Sequence, residues 1–92
     1  MILSLPYSFK VVLKTDKTSY SEVHPLLKDL ITRIVSINAT MQCKELHFED
    51  VDHGVHGHIY VSGTTQDELG LIKQVDEIRA FENVFVHEFV IA

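Results

Sequence analysis

The spacing of apolar residues changes early in the chain and predicts the first two elements. Residues 9–15, FKVVLKT, alternate with a period of two, which is typical of a strand with one buried face. Residues 21–38 change to helical spacing, and Pro25 is expected in the first turn, where a missing N–H costs little. The apolar positions are Phe9, Val11 and Leu13 in the strand and Val23, Leu26, Leu27, Leu30, Ile31, Ile34 and Val35 in the helix.

A second period-two region predicts a hairpin. Residues 43–50 and 55–63 form its strands, and His53 with Gly54 forms a two-residue loop that sets the register. On the buried face the expected pairs are Leu46 with Val61, Phe48 with Ile59 and Asp50 with Gly57. On the other face lie Glu45 and the expected pairs His47 with Tyr60, Glu49 with His58 and Val51 with His56.

The last two elements are a helix and a strand. Residues 64–81, TTQDELGLIKQVDEIRAF, open with a capping box formed by Thr65 and Glu68. Residues 83–92, NVFVHEFVIA, follow as a strand that is apolar on both faces. The apolar positions are Leu69, Ile72, Val75 and Ile78 in the helix, Val84, Val86 and Val90 on one strand face, and Phe85, Phe89 and Ile91 on the other.

The order strand, helix, strand, strand, helix, strand predicts one α+β domain over residues 1–92. It matches the ferredoxin-like βαββαβ sandwich, in which both helices cover one face of a four-stranded antiparallel sheet. In this topology the last strand pairs with the first and lies at an edge. The second sheet face is then open to solvent.

Composition narrows the possible functions. The 92 residues include 13 acidic and 8 basic side chains, for a net charge of -5, and no basic cluster is visible along the chain. We therefore expect a protein partner and no direct binding of nucleic acid. The sequence also predicts no membrane segment, and the single cysteine, Cys43, favours a cytoplasmic location.

The histidine-rich hairpin is the main candidate for a site. His47, His56 and His58 share the predicted open face with Glu49 and Tyr60. Three interpretations remain open: a solvated face, a partner surface, or a zinc site using His58, Glu49 and a diagonal His47. No motif marks a catalytic residue or a cofactor, and we predict no metal, so the partner surface is the working hypothesis.

The last strand extends this candidate surface. Two aromatic side chains on an open sheet face would form an exposed apolar patch, which usually marks an interface. One alternative is that the segment MILSLPY folds back over the patch, and another is a different topology with this strand in the centre. The residues predicted to contact a partner are His47, Glu49, His56, His58, Tyr60, Phe85, His87 and Phe89.

These features predict a small, acidic, non-enzymatic interaction module that regulates, adapts or inhibits a protein. A homodimer through the open face or the last strand is expected. One alternative is an inhibitor that mimics DNA, as some phage proteins do, through carboxylates. The candidate carboxylates are Glu45, Glu49, Asp50, Asp52, Asp67, Glu68, Asp76 and Glu77.

A second alternative comes from a resemblance in the C-terminal part of the chain. The hairpin strand, the segment SGTTQDE and the final strand, within residues 55–91, resemble ferredoxin-like modules of pilus assembly and ring-building domains of secretion systems. The resemblance rests on the pattern of elements, and it implies a component of such an assembly. We expect no membrane anchor of the kind that these modules carry.

Overall fold

The structure is a computed structural model that describes residues 3–92. Its elements follow the predicted order. They are β1 (Leu5–Lys14), α1 (Tyr20–Ile37), β2 (Gln42–Val51), β3 (Gly54–Thr65), α2 (Glu68–Arg79) and β4 (Val84–Ile91).

The four strands form one antiparallel sheet in the order β2-β3-β1-β4, so β4 lies at an edge beside β1. Both helices pack on the same face, and the core fills the space between the helices and the sheet. This arrangement confirms the ferredoxin-like α+β fold. The fully buried side chains are Phe9, Val11, Val23, Leu27, Ile34, Val55, Ile59, Val61, Leu71, Val75 and Ile78.

Strand β1 begins earlier than its alternation predicts. Leu5 pairs with Thr65, and Tyr7 pairs with both Gly63 and Ile91, so this segment continues the central strand. The alternative in which MILSLPY covers the open face is therefore wrong for its described residues, and Met1 and Ile2 lie outside the described range.

The predicted apolar stripe of α1 is only partly buried in the structure. Ser19 caps its N-terminus by accepting a hydrogen bond from the Glu22 amide, so Pro25 is the sixth helical residue and lies beyond the first turn. Leu26 and Val35 are exposed. The buried stripe is narrower than the predicted one and consists of Val23, Leu27, Leu30 and Ile34, while Ile31 is partly buried against the core.

Helix α2 begins later than predicted. Asp67 is its N-cap and accepts a hydrogen bond from the Gly70 amide, whereas Thr65 ends β3 and binds the backbone of Asp67 through its hydroxyl. The prediction of a capping box formed by Thr65 and Glu68 is therefore wrong. Leu69 and Ile72 face solvent, because the helix instead buries Leu71, Val75 and Ile78.

The β2–β3 loop consists of Asp52 and His53, so the predicted loop was displaced by one residue. Val51 pairs with Gly54, whose φ of 149° is strained for any residue with a side chain. A Cβ atom there would also collide with the carbonyl oxygen of Thr15. Register moves by two residues near the loop, which leaves every side chain there on its predicted face.

A β-bulge at Leu46 reverses the faces of the β2 residues that precede it in the sequence. Glu45 pairs with Ile59 and His47 pairs with His58, so Leu46 is the extra residue. Glu45 consequently lies on the helix side, where it contacts His24 of α1, and the prediction that placed it with His47 was wrong. Phe48 pairs with Gly57 rather than Ile59.

A second bulge changes the faces of β4. Lys10 pairs with His87 while Ser8 pairs with Val90, so two β4 residues stand opposite one β1 residue, and Glu88 has a φ of 55°. Phe89 therefore turns into the core, where its ring centroid lies 5.9 Å from that of Phe9.

Candidate partner-binding face of the sheet

The sheet face opposite the helices collects polar, cationic and apolar side chains in rows that cross the strands. One row is His47, His58, Val12 and Phe85; the next is Lys44, Tyr60, Lys10 and His87; and Glu49, His56 and Lys14 form a third. Cross-strand neighbours on one face lie close enough for direct contact. We call this surface, together with Glu88 and Val90, the open face.

The histidines at one side of the open face share a single carboxylate. The Glu49 Oε1 atom lies 3.3 Å from His58 Nε2 and 3.8 Å from His56 Nδ1. The rings of His47 and His58 stack with their centroids 4.2 Å apart. Three imidazoles are thus close together with one acidic partner, so protonating them would create an excess of positive charge.

Lysines occupy the middle of the open face. Lys10 Nζ lies 3.1 Å from a Glu88 carboxylate oxygen, and Lys14 Nζ lies 4.3 Å from the centre of the Phe85 ring. Their side chains flank Val12, which is only 7% exposed although it points away from the helices. A shallow groove of about 400 Å³ follows this part of the face.

Charge is distributed unevenly between the two sides of the sheet. With its histidines neutral, the open face carries three lysines against Glu49 and Glu88, a net charge of +1, which leaves -6 for the rest of the chain. The sequence shows no basic cluster because these lysines are far apart along the chain. The fold brings them together by placing every second residue of three strands on one face.

The open face holds every predicted contact residue except Phe89. His47, Glu49, His56, His58, Tyr60, Phe85 and His87 all lie there. The sequence prediction missed Lys10, Lys14, Lys44 and Val90. For the β1 lysines the signal was present, since they alternate with the buried Phe9 and Val11.

Phe89 is a correction, and its physical reason is the bulge. The extra residue at Glu88 reverses the alternation, so Phe89 and Ile91 pack against the core while Val90 is 53% exposed on the open face. The exposed aromatic side chain of β4 is Phe85, at 42%.

The described residues offer little for metal or thiol chemistry. Within residues 3–92, no group of three or more His, Cys, Asp or Glu side chains has the geometry to hold a metal ion. Cys43 is half-buried at the core side of β2, and burial raises the pKa of its thiol, which lowers the fraction of reactive thiolate. Neither helix in this range is long and apolar enough to cross a membrane.

The carboxylates proposed for DNA mimicry do not form one free array. Glu45 contacts His24, Asp50 accepts a hydrogen bond from the Tyr20 hydroxyl, and Asp76 pairs with Arg79. Glu49 lies on the opposite side of the sheet among histidines. Several of these charges are therefore partly compensated within the protein.

A larger groove of about 560 Å³ lies at one end of the molecule, between the end of β1, α1 and the loop before β4. Its rim mixes Lys17 and Arg33 with Asp16, Asp29 and Glu82. Because both signs of charge alternate there, the groove favours no particular class of ligand.

Comparisons with known proteins extend to the fold alone. No protein-family model and no curated protein matches the chain. Among solved structures, the de novo designed protein Foldit4 is similar, with a TM-score of 0.52 over 98% of this chain and 97% of that chain, at 12% sequence identity. At this identity the likeness supports the ferredoxin-like arrangement of elements and says nothing about function.

Proposed function

We propose that this chain is a small non-enzymatic interaction module that regulates, adapts or inhibits a partner protein bound at its open face. The observation that carries this proposal is the open face itself. No element within residues 3–92 covers it, yet it displays Tyr60, Phe85 and Val90 at 36–53% exposure beside a groove. Exposed aromatic and apolar side chains within a polar surround are typical of protein interfaces.

The open face is a better candidate than the sheet edges. Both edge strands carry a bulge, at Leu46 in β2 and at Glu88 in β4, and bulges interrupt the row of amides and carbonyls that another strand would need. Glu88 also places a charged side chain on the β4 edge. Strand addition is therefore the less favoured mode of contact.

Homodimerisation through the open face remains part of the proposal as a second candidate. Phe85 and Val90 supply apolar area for a two-fold contact. However, two copies meeting at this face would also bring their lysines together, and like charges across an interface weaken it. A partner of different composition is therefore preferred, and light scattering of the purified chain at high micromolar concentration measures the self-association directly.

The proposal is tested by capture with three immobilised proteins: the wild type, Lys44→Glu and Lys28→Glu. Lys44 is exposed on the open face, whereas Lys28 is exposed on α1. Both substitutions change the net charge by the same amount, so their difference reports position rather than total charge. We expect the Lys28→Glu variant to retain the captured protein and the Lys44→Glu variant to lose it.

Equal capture by both variants would show that the open face is not the contact surface. Loss of capture by both would indicate a dependence on total charge and would also count against the proposal. Circular dichroism of each variant establishes that the fold is intact before the comparison is made.

A further inference from the structure

We infer that the partner of the open face presents an acidic protein segment, and that this contact strengthens as the pH falls from neutral to mildly acidic values. The inference rests on the proposed function and names the chemistry of its partner. It joins two observations: the clustering of cationic side chains on one face of an acidic protein, and the presence of four histidines among them.

The groups that determine the charge of this face come from all four strands. They are Lys10 and Lys14 from β1, Lys44, His47 and Glu49 from β2, His56, His58 and Tyr60 from β3, and His87 and Glu88 from β4. Histidine is the side chain whose charge ordinarily changes between about pH 5 and pH 8. Protonating the four histidines takes the net charge of the face from +1 to +5.

The protonated cluster would have too few carboxylates of its own. Glu49 is shared by His56 and His58, whereas His47 stacks on His58 and has no separate carboxylate within ion-pair distance among residues 3–92. Glu88 is already paired with Lys10. Carboxylates from a partner can supply the missing negative charge, and complementary charges across the contact favour association.

The charges favour a protein segment over nucleic acid. The two arginines, Arg33 and Arg79, lie on helices, so the open face lacks the side chain best suited to bidentate phosphate contacts. The remainder of the molecule carries -6, which repels a long polyanion that extends beyond the face. An acidic peptide segment need not extend that far, and its apolar residues can contact Phe85 and Val90.

Fluorescence anisotropy of a labelled decaglutamate peptide tests the inference, with decaglutamine and oligothymidylate as comparison probes. Binding is measured at low salt, at about pH 7.5 and at about pH 5.5. We expect decaglutamate to bind at least about tenfold more tightly at the lower pH, and decaglutamine to bind weakly at both.

Two pairs of variants locate the effect. Lys44→Glu should weaken decaglutamate binding at both pH values, whereas Lys28→Glu on α1 should leave it close to that of the wild type. His58→Gln should reduce the pH dependence, whereas His24→Gln should preserve it, because His24 lies on the helix side near Glu45. The lysine pair keeps the test decisive if His58→Gln fails to fold.

Where decaglutamate binds, three results would overturn the inference. These are affinity for decaglutamate that does not change with pH, equal effects of Lys44→Glu and Lys28→Glu, and tighter binding of oligothymidylate than of decaglutamate. If decaglutamate does not bind but a captured protein still depends on Lys44, the proposed function stands and the acidic partner is wrong. If light scattering shows a dimer that Lys44→Glu disrupts, a second copy occupies the face instead.

Discussion

The two central strands keep a regular alternation of buried and exposed residues, whereas each edge strand interrupts it with a bulge. In β1 and β3 the period of two continues from one end to the other, so Phe9, Val11, Ile59 and Val61 all reach the core. In β2 and β4 a bulge adds one residue, and the faces exchange beyond it. A central strand is held on both sides by neighbours, whereas an edge strand can bend at little cost.

This difference determines the composition of the open face. Without the bulge at Glu88, Phe89 and Ile91 would share the open face with Phe85 and make the exposed edge strand strongly apolar there. With the bulge, Phe89 packs against the core and Glu88 brings a carboxylate to Lys10. The open face therefore becomes more polar and cationic than the sequence pattern indicates, and edge-to-edge aggregation is disfavoured.

The largest expected effect separates the two phenylalanines of β4. Phe89→Ala should lower the free energy of unfolding by about 3 kcal/mol because it removes a large, partly buried ring that packs against Phe9 and the core. Phe85→Ala should lower it by less than about 1 kcal/mol, because the ring is exposed and loses mainly its contact with Lys14. Urea denaturation measures both. Equal losses would contradict the assignment of these rings to opposite faces.

A second comparison uses a matched pair of valines that stand opposite each other, on a central and an edge strand. Val11 is fully buried in β1, and its partner Val86 in β4 is half-buried. Val11→Ala should cost about 2 kcal/mol and Val86→Ala about 1 kcal/mol, because less area is lost at the edge. A greater cost at Val86 in thermal or chemical unfolding would count against a weaker edge.

Tyr7 provides a stabilising change in the central strand. Its ring is buried, and within residues 3–92 its hydroxyl has no hydrogen-bond partner. Tyr7→Phe should therefore raise the free energy of unfolding by about 1 kcal/mol, since a buried unsatisfied hydroxyl is costly. Tyr60→Phe on the exposed side is the control and should change little. A destabilised Tyr7→Phe protein would show that the hydroxyl has a partner.

The raised pKa values of Tyr7 and of the neighbouring Cys43 predict how the stability of the fold depends on pH. Burial, and then the nearby Cys43 thiol, raises the pKa of Tyr7, and burial raises the pKa of Cys43. The folded state thus binds these two protons more tightly than the unfolded state does. The protonated groups therefore contribute fully to the free energy of unfolding below the unfolded-state pKa, and this contribution is lost as the pH rises through the folded-state pKa. Stability should fall above about pH 9, and less steeply in Tyr7→Phe. Stability that rises across this range would contradict the prediction.

The smallest expected effect lies at the β4 bulge. Glu88 has a φ of 55°, which glycine adopts without steric cost, so Glu88→Gly should stabilise the fold by about 0.5 kcal/mol despite losing the ion pair with Lys10. Glu88→Ala retains the strain and loses the pair, so it should be slightly destabilising. If Gly and Ala behave alike in denaturant titrations, the strained angle is not important to stability.

Alternation and helical spacing were sufficient to predict the order of elements and the ferredoxin-like fold. The exposed face of β3 was also predictable. Misplacing the β2–β3 loop by one residue changed the predicted register by two residues, so His56 and His58 remained on their predicted face. The faces of Glu45 and Phe89 were not predictable, because a bulge depends on tertiary packing and leaves no local signature in these segments. The grouping of lysines required the strand order as well as the pattern.

The most direct test of the open face as a binding surface is NMR of the isotope-labelled protein titrated with the protein captured by the wild type. Amide shifts should concentrate on the outward residues of all four strands, with Lys10, His58 and Phe85 among the largest, while α1 and α2 change little. Shifts concentrated on α1 and α2, with the sheet unchanged, would contradict the proposal that the open face is the surface by which this protein acts.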